Sequence, residues 1–260
     1  MLLSLIFLSF LSGSFAVYRP SIGDVFQWQL QVDDNHPFDY SMHADLYDVD
    51  LWAVTPQQIA AIHAKGAKVI CYFSAGSLDN NRPDAHLFHS NDIGNKMDGW
   101  DEHWIDIRSS NVKSIMAKRM DLAKSKNCDG IEPDNVDGYD SGNAHIGFSF
   151  HDQLVYNRWL ADQAHARGLS IGLKNDVGQI QQLHSSFDWA LNEECHDYDE
   201  CMEYQTFLDE GKAVFNVEYV NSHHVSSTKQ QMCTRNSPTG MRTQFKVWDV
   251  TSWVWRCPNQ

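Results

Sequence analysis

Positive charge is scarce in this chain. Its 260 residues carry 20 Lys and Arg against 34 Asp and Glu, a formal net charge of −14. Phosphate backbones and anionic lipid are held by clustered Lys and Arg, so nucleic acid and a membrane surface are excluded as partners. Long apolar runs are also missing. Beyond the N-terminus no stretch approaches the ~20 residues that span a bilayer. There is no CxxC pair, no HExxH, and no HxH closing the first strand-like run. Metal chemistry is therefore poorly supported, and no motif calls for a cofactor. Without a GxSxG elbow, Ser74-Ala75-Gly76-Ser77 reads as a turn rather than a serine nucleophile. Without a GxGxxG after the first strand-like run, a doubly wound dinucleotide fold is only the second choice. Asn-x-Ser/Thr with a permissive middle residue does not occur either, so no N-glycan is expected.

What is present begins with Met1 to Ala16, almost wholly apolar and ending on small residues at Ser14 and Ala16. No basic residue precedes that run, yet it reads as a secretory signal cleaved after Ala16. Residues 17–260 then form one domain, the size of a (β/α)8 barrel. Behind a signal, six cysteines favour disulfides over zinc. Six cysteines allow fifteen connectivities, and only Cys195 with Cys201 is supported by closeness. Cys233 with Cys257 and Cys71 with Cys128 would complete one set. The expected product is a secreted, extracellular monomer.

From end to end the chain alternates strand-like and helix-like segments. The strand candidates are Phe26–Gln31, Val49–Val54, Lys68–Ser74, Gly130–Asp134, Ser170–Asn175, Trp189–Glu193, Ala213–Glu218 and Gln244–Trp248. Between them lie helical patterns. Thr55 caps a helix with Pro56 in its first turn and Ile59 and Ile62 on one face. Val112, Ile115, Met116 and Ala123 repeat at helical spacing, as do Leu154, Leu160 and Ala164. Gly66, Gly168 and Gly211 close helices with the left-handed residue that turns the chain back. Eight such units predict an α/β fold, a single (β/α)8 TIM barrel. The long break from Ala75 to Ser109 is expected to shape a cleft at the C-terminal rim.

Two strand candidates end in carboxylates, Gly130-Ile-Glu-Pro-Asp134 and Trp189-Ala-Leu-Asn-Glu193-Glu194. A strand that buries apolar residues and delivers an acid at its C-terminal end puts a reactive group on a barrel rim. Two such strands suit paired-carboxylate cleavage of a glycosidic bond. Side chains alternate along a strand, so Glu132 and Asp134 share a face, with Glu132 deeper as a hydrogen-bonded support. Asn135, Asp137 and Tyr139 continue into the loop, where they can contact hydroxyl or amino groups; helix capping is the plainer reading of Asp134-Asn135. Only one of Glu193 and Glu194 can face the mouth, the other being left for a structural ion pair. Lys174, Asn175, Asp50 and Glu218 add polar groups at the same end, while Trp28, Tyr72, Tyr219 and Trp248 offer rings for stacking on sugars. The acidic excess is explained by solubility or by a groove for a cationic substrate, and charge alone does not choose.

These blocks resemble glycoside hydrolase family 114, the endo-α-1,4-polygalactosaminidases. The resemblance rests on Phe26-Gln-Trp-Gln-Leu-Gln31, Tyr47-Asp-Val-Asp-Leu-Trp52, Lys68-Val-Ile-Cys-Tyr-Phe-Ser-Ala-Gly-Ser77 with Arg82 and Asp84, and Trp104-Ile-Asp-Ile-Arg108. It continues through Cys128-Asp-Gly-Ile-Glu-Pro-Asp-Asn-Val-Asp-Gly-Tyr139, Gly168-Leu-Ser-Ile-Gly-Leu-Lys-Asn-Asp176, Asn192-Glu-Glu-Cys195 and Gly211-Lys-Ala-Val-Phe215 with Glu218-Tyr219, and is weak over the last forty residues. It implies a TIM barrel that cleaves within α-1,4-linked galactosamine polymers. It also implies catalysis by Asp134 and Glu193, with Glu194 the structural partner. Asp140-Ser-Gly-Asn-Ala-His-Ile-Gly147 departs from the family's Asn-x-Thr-Gly pattern and bears on substrate contacts. Two rival readings fit the same residues. One is a lectin-like barrel that binds amino sugars without cutting them, which would not need both acids. The other is a metal-dependent phosphodiesterase, which needs ligands where the first strand offers Gln29 and Gln31.

Overall fold

In the computed structural model, residues 17–142, 144, 146–235 and 238–258 are described; the expected signal, Met1 to Ala16, lies outside them. Eight parallel strands follow one another around the sheet in chain order. They are β1 (Phe26–Gln29), β2 (Leu46–Asp50), β3 (Lys68–Ser74), β4 (Gly130–Asp134), β5 (Ser170–Lys174), β6 (Trp189–Glu193), β7 (Val214–Val220) and β8 (Arg242–Val247). A short last strand, Trp255–Arg256, runs antiparallel on β8.

The barrel differs from the expected closed one at a single seam. Among the described residues no ladder joins β8 or Trp255–Arg256 to β1. Instead, the Val250 carbonyl accepts the N–H groups of Leu30 and Gln31 at 3.0 and 3.3 Å. Arg256 reaches across to the Phe26 carbonyl and to Gln27 Oε1. Val250 is held at φ 45°, a backbone region that β-branched residues rarely enter. This seam is why β1 stops at Gln29 rather than Gln31. The second strand is shifted too, because Asp50 turns its side chain back onto the N–H groups of Trp52 and Ala53. Leu51 and Val54 are then buried as turn residues rather than as strand.

Alternation sorts the strands into two cores. Phe26, Trp28, Leu46, Ile70, Trp189, Leu191, Phe215, Val217 and Tyr219 fill the barrel. The other parity, with Val49, Ile131, Ile171 and Ala190, packs against the helices. Gly172 is small because the Trp189 ring occupies the barrel there: a Cβ on it would lie 2.5 Å from that ring. Three helices dominate the outer layer: α1 (Pro56–His63), α2 (Ser110–Lys126) and α3 (Phe150–Ala166). Thr55 caps α1 through a reciprocal pair with Gln58. The three disulfides are Cys71–Cys128, Cys195–Cys201 and Cys233–Cys257.

The long insertion after β3 folds into an antiparallel sheet, with Glu102–Ile105 between Ser77–Asp79 and Ile93–Lys96. Its anchor is Arg119 of α2, which is buried. The guanidinium pairs with both Asp84 oxygens at 2.8 and 2.9 Å and donates to the Ser74 carbonyl at 2.6 Å. Arg119→Leu strands Asp84 and is expected to cost about 3 kcal/mol, read as a fall in Tm of roughly 10 °C. A Tm within 2 °C or so of wild type would show that the insertion is held otherwise.

Candidate active site

At the C-terminal end of the barrel four side chains meet. Glu132 and Asp134 leave β4 on the same face, Lys174 ends β5, and Glu193 ends β6. The Lys174 ammonium lies 3.3 Å from Glu132 Oε1, 3.1 Å from Asp134 Oδ1 and 3.1 Å from Glu193 Oε2. It also sits 4.8 Å from the Trp28 ring centre, and the Trp28 N–H donates to Glu132 Oε2 at 2.8 Å. Only 2 % of Lys174 is exposed. Burial works against its charge, but Asp134, Glu193 and Glu132 together hold its pKa well above the ordinary lysine value. It is a fixed cation.

Each acid of the upper pair has further donors. Asp134 accepts from the Tyr72 hydroxyl at 2.9 Å and the Asn135 N–H at 2.8 Å. Glu193 accepts from Asn175 Nδ2 at 3.1 Å and from the Tyr219 hydroxyl. Asn135 and Asn175 have φ of 58° and 48°, left-handed values that asparagine tolerates better than most residues. The strands thus end in tight turns immediately after their acids. Gly76 permits one of these turns to pack: a Cβ there would overlap the Asn135 carbonyl at 1.7 Å.

Because one ammonium touches both acids, Asp134 Oδ1 and Glu193 Oε2 can be no farther apart than two 3.1 Å contacts laid end to end. That limit suits the short pairing of about 5–5.5 Å found when one carboxylate attacks carbon and the other moves the proton.

A cavity of about 320 Å³ opens over this cluster, bordered by Trp28, Tyr72, Arg82, Trp100, Glu102, Asp134, Asn135, Asp137, Lys174, Asn175, Glu193, Tyr219 and Trp248. A second, of about 370 Å³, adjoins it, sharing Trp100, Asp137, Asn175, Glu193, Tyr219 and Trp248. The acids of the second are Asp137, Asp140, Asp176, Glu193, Glu194 and Glu200, and among the described residues no Lys or Arg borders it. Burial, then the charge of Asp134, pushes Asp137 up to about 6. Burial, then the charge of Asp137, pushes Asp176 up to about 9. Asp176 Oδ1 is buried without a hydrogen-bond partner among the described residues. The cavities form one groove with Glu193 on the divide.

Most of the expected residues line this groove: Trp28, Tyr72, Asn135, Asp137, Lys174, Asn175 and Trp248 in the first cavity, Tyr139 in the second. Lys174 is part of the floor beneath the acids rather than a free contact. Asp50 and Glu218 do not border either cavity. Asp50 pairs with Arg82, which does. Glu218 points out of the barrel, where it accepts from the His196 N–H and from Asn216 Nδ2, each at 3.0 Å. Strand parity accounts for this, since Tyr219 takes the inward position. Glu194 departs from the structural ion pair expected of it. It has φ 60°, so strand alternation ends there and both glutamates reach the groove. No ion pair to Glu194 forms among the described residues. Arg82, Trp100, Glu102, Tyr198 and Tyr219 complete the walls. Of these, Tyr219 is one of the stacking rings expected from the sequence, whereas Trp100, from a turn of the insertion, and Tyr198, ending the short helix Cys195–Tyr198, are brought near only by the fold.

The family model of glycoside hydrolase family GH114 matches residues 10–260. The chain belongs to family GH114. It is therefore a glycoside hydrolase, and its substrate is a carbohydrate. The crystal structure of Aspergillus fumigatus Ega3 in complex with galactosamine is similar over 94% of this chain and 98% of that one, at 37% identity and a TM-score of 0.88. The glycoside hydrolase domain of PelA from Pseudomonas aeruginosa covers 87% of this chain and 94% of its own at 12% identity, TM-score 0.58, a likeness of fold alone. Among curated proteins none matches the sequence significantly. The GH114 assignment agrees with the barrel.

Proposed function

We propose that this GH114 enzyme cleaves within α-1,4-linked, galactosamine-containing polysaccharide by a retaining two-carboxylate mechanism. The observation that carries the reading is the single Lys174 ammonium touching both Asp134 and Glu193, at the divide of a two-sided groove. The Asp134 carboxylate attacks the anomeric carbon while Glu193 gives its proton to the departing glycosidic oxygen. A covalent glycosyl ester on Asp134 and one free sugar end result. Glu193, now ionised, takes a proton from water, whose oxygen displaces Asp134 and restores both groups. Because the anomeric carbon is displaced twice, its configuration is kept.

Three features favour an amino-sugar polymer. The groove continues on both sides of Glu193, as a mid-chain cut requires. Its second half carries acids without bases, which suits ammonium groups. The similar Ega3 structure holds galactosamine. Secretion is supported by the apolar N-terminus and by three disulfides; among the described residues no helix is long and apolar enough to cross a membrane.

Mass spectrometry of products from partly deacetylated α-1,4-galactosaminogalactan tests this. Oligosaccharides of several lengths support endo-cleavage; an intact polymer that still binds would make the protein a lectin-like barrel. Trp248, half-exposed, stacks on Tyr219 with centroids 4.1 Å apart and planes 9° apart. Trp248→Ala is expected to raise KM for the polymer about tenfold with a smaller change in kcat, the worth of one aromatic stack. Initial rates against polymer concentration check it, and an unchanged KM would remove Trp248 from the binding track.

A further inference from the structure

Below the catalytic pair lies a second pair of carboxyls. Asp48 of β2 and Glu132 of β4 are both wholly without solvent exposure, and the two carboxyls lie near enough inside the barrel for each to shift the other. No N–H or O–H donor among the described residues reaches either oxygen of Asp48. Glu132 is better served, by the Trp28 N–H at 2.8 Å and the Lys174 ammonium at 3.3 Å. Two neighbouring carboxyls shut away from water, one of them without any donor among the described residues, cannot both be anions. Glu132 has the partners that favour an anion, and among those residues Asp48 has none.

We propose that Asp48 is a positioning residue that keeps its proton at neutral pH and donates it to Glu132, holding Glu132 as the anionic anchor that fixes Lys174 between Asp134 and Glu193. The proposal rests on Asp134 and Glu193 being the catalytic pair.

The charged and titratable groups facing Asp48 agree with this. Glu132 and Asp134 approach from β4 and Lys174 from β5; beyond the lysine stand Glu193 of β6 and Tyr72 of β3. Burial, then Glu132, raises the Asp48 carboxyl well above its usual range. Burial raises Glu132 as well, but Lys174, Asp48 and Trp28 oppose that rise. An ionised Asp48 would add a second buried anion against Glu132 and draw the ammonium down, away from the reacting acids.

The sign of the pH effect follows. A carboxyl whose pKa is higher in the folded state takes up a proton on folding, so its contribution to stability falls as pH rises above about 4, the unfolded value. Asparagine in its place keeps an N–H donor to Glu132 and has no proton to lose. Asp48→Asn is therefore expected to melt above wild type, by a margin that widens as pH rises. Asp48→Ala removes the donor and is expected to lower kcat about 10²-fold, the scale of a misplaced reacting group, with KM nearly unchanged. Asp48→Asn recovers kcat to within about threefold. It also abolishes the alkaline loss of activity that deprotonation of Asp48 causes in wild type.

The experiment compares wild type, Asp48→Asn and Asp48→Ala by polymer kinetics across pH, by Tm across pH, and by infrared difference spectra of the protonated-acid carbonyl band. A band present in wild type and lost in Asp48→Asn, with kcat recovered, supports the proposal. Absence of that band, or Asp48→Asn no more active than Asp48→Ala, overturns it. If Asp48→Ala does not fold, the Asn variant decides through the band and the Tm slope. Those two readouts need no substrate, so a failure of the proposed polymer or of the catalytic pair is seen separately, as inactive wild type or active Asp134→Asn.

Discussion

Asp134→Asn is expected to lower kcat on the polymer by at least about 10⁴-fold, the scale seen when a covalent nucleophile is removed from other hydrolases. Glu193→Gln is expected to lose about 10²–10⁴-fold, the usual worth of a general acid. The two should separate on a substrate with an activated aryl leaving group. Such a group departs without a proton, so Glu193→Gln regains its first step and accumulates glycosyl-enzyme, while Asp134→Asn stays inactive. Both changes are near isosteric at partly exposed positions, and each leaves Lys174 two remaining carboxylates. Folding should survive, which circular dichroism and Tm will check. Equal losses for both variants on the activated substrate would contradict the division of roles.

Lys174→Met is the second large effect, and it acts on stability as well as on rate. The ammonium is the shared counter-charge for Glu132, Asp134 and Glu193, and Glu132 has no exposed surface. Removing one partner of a buried ionic cluster costs about 3–5 kcal/mol, here a Tm drop of roughly 10–15 °C. The folded fraction should lose at least about 10²-fold in kcat, because both acids lose the contact that spaces them. A Lys174→Met protein as stable and active as wild type would mean that the lysine is incidental.

Much of this site was legible in the chain because strands carry their own geometry. Glu132 and Asp134 are two residues apart on a strand, so a shared face followed from parity, and Lys174 does meet them from the next strand. The same rule, applied to Val214–Val220, puts Tyr219, expected as a stacking ring, inward and Glu218 outward; counting acids at strand ends placed Glu218 in the site instead. Glu194 escaped the rule because its left-handed backbone ends the alternation. The shift of the second strand came from Asp50 capping its own turn, a side-chain bond that hydrophobic pattern cannot register. The seam at Val250 and the placement of Trp100 and Tyr198 depend on contacts between distant segments, so no local pattern announces them. The insertion read as one long loop because its strands, Ser77–Asp79 and Ile93–Lys96, are short and irregular.

The central claim is that Asp134 and Glu193, spaced by one lysine, cleave an α-linkage through a covalent intermediate. Proton NMR of the anomeric signals in the first minutes of hydrolysis tests it most directly. The account predicts that the α-anomer of the new reducing end appears first and the β-anomer only later, by mutarotation. First appearance of the β-anomer would show a single displacement by water and would contradict the nucleophilic role of Asp134.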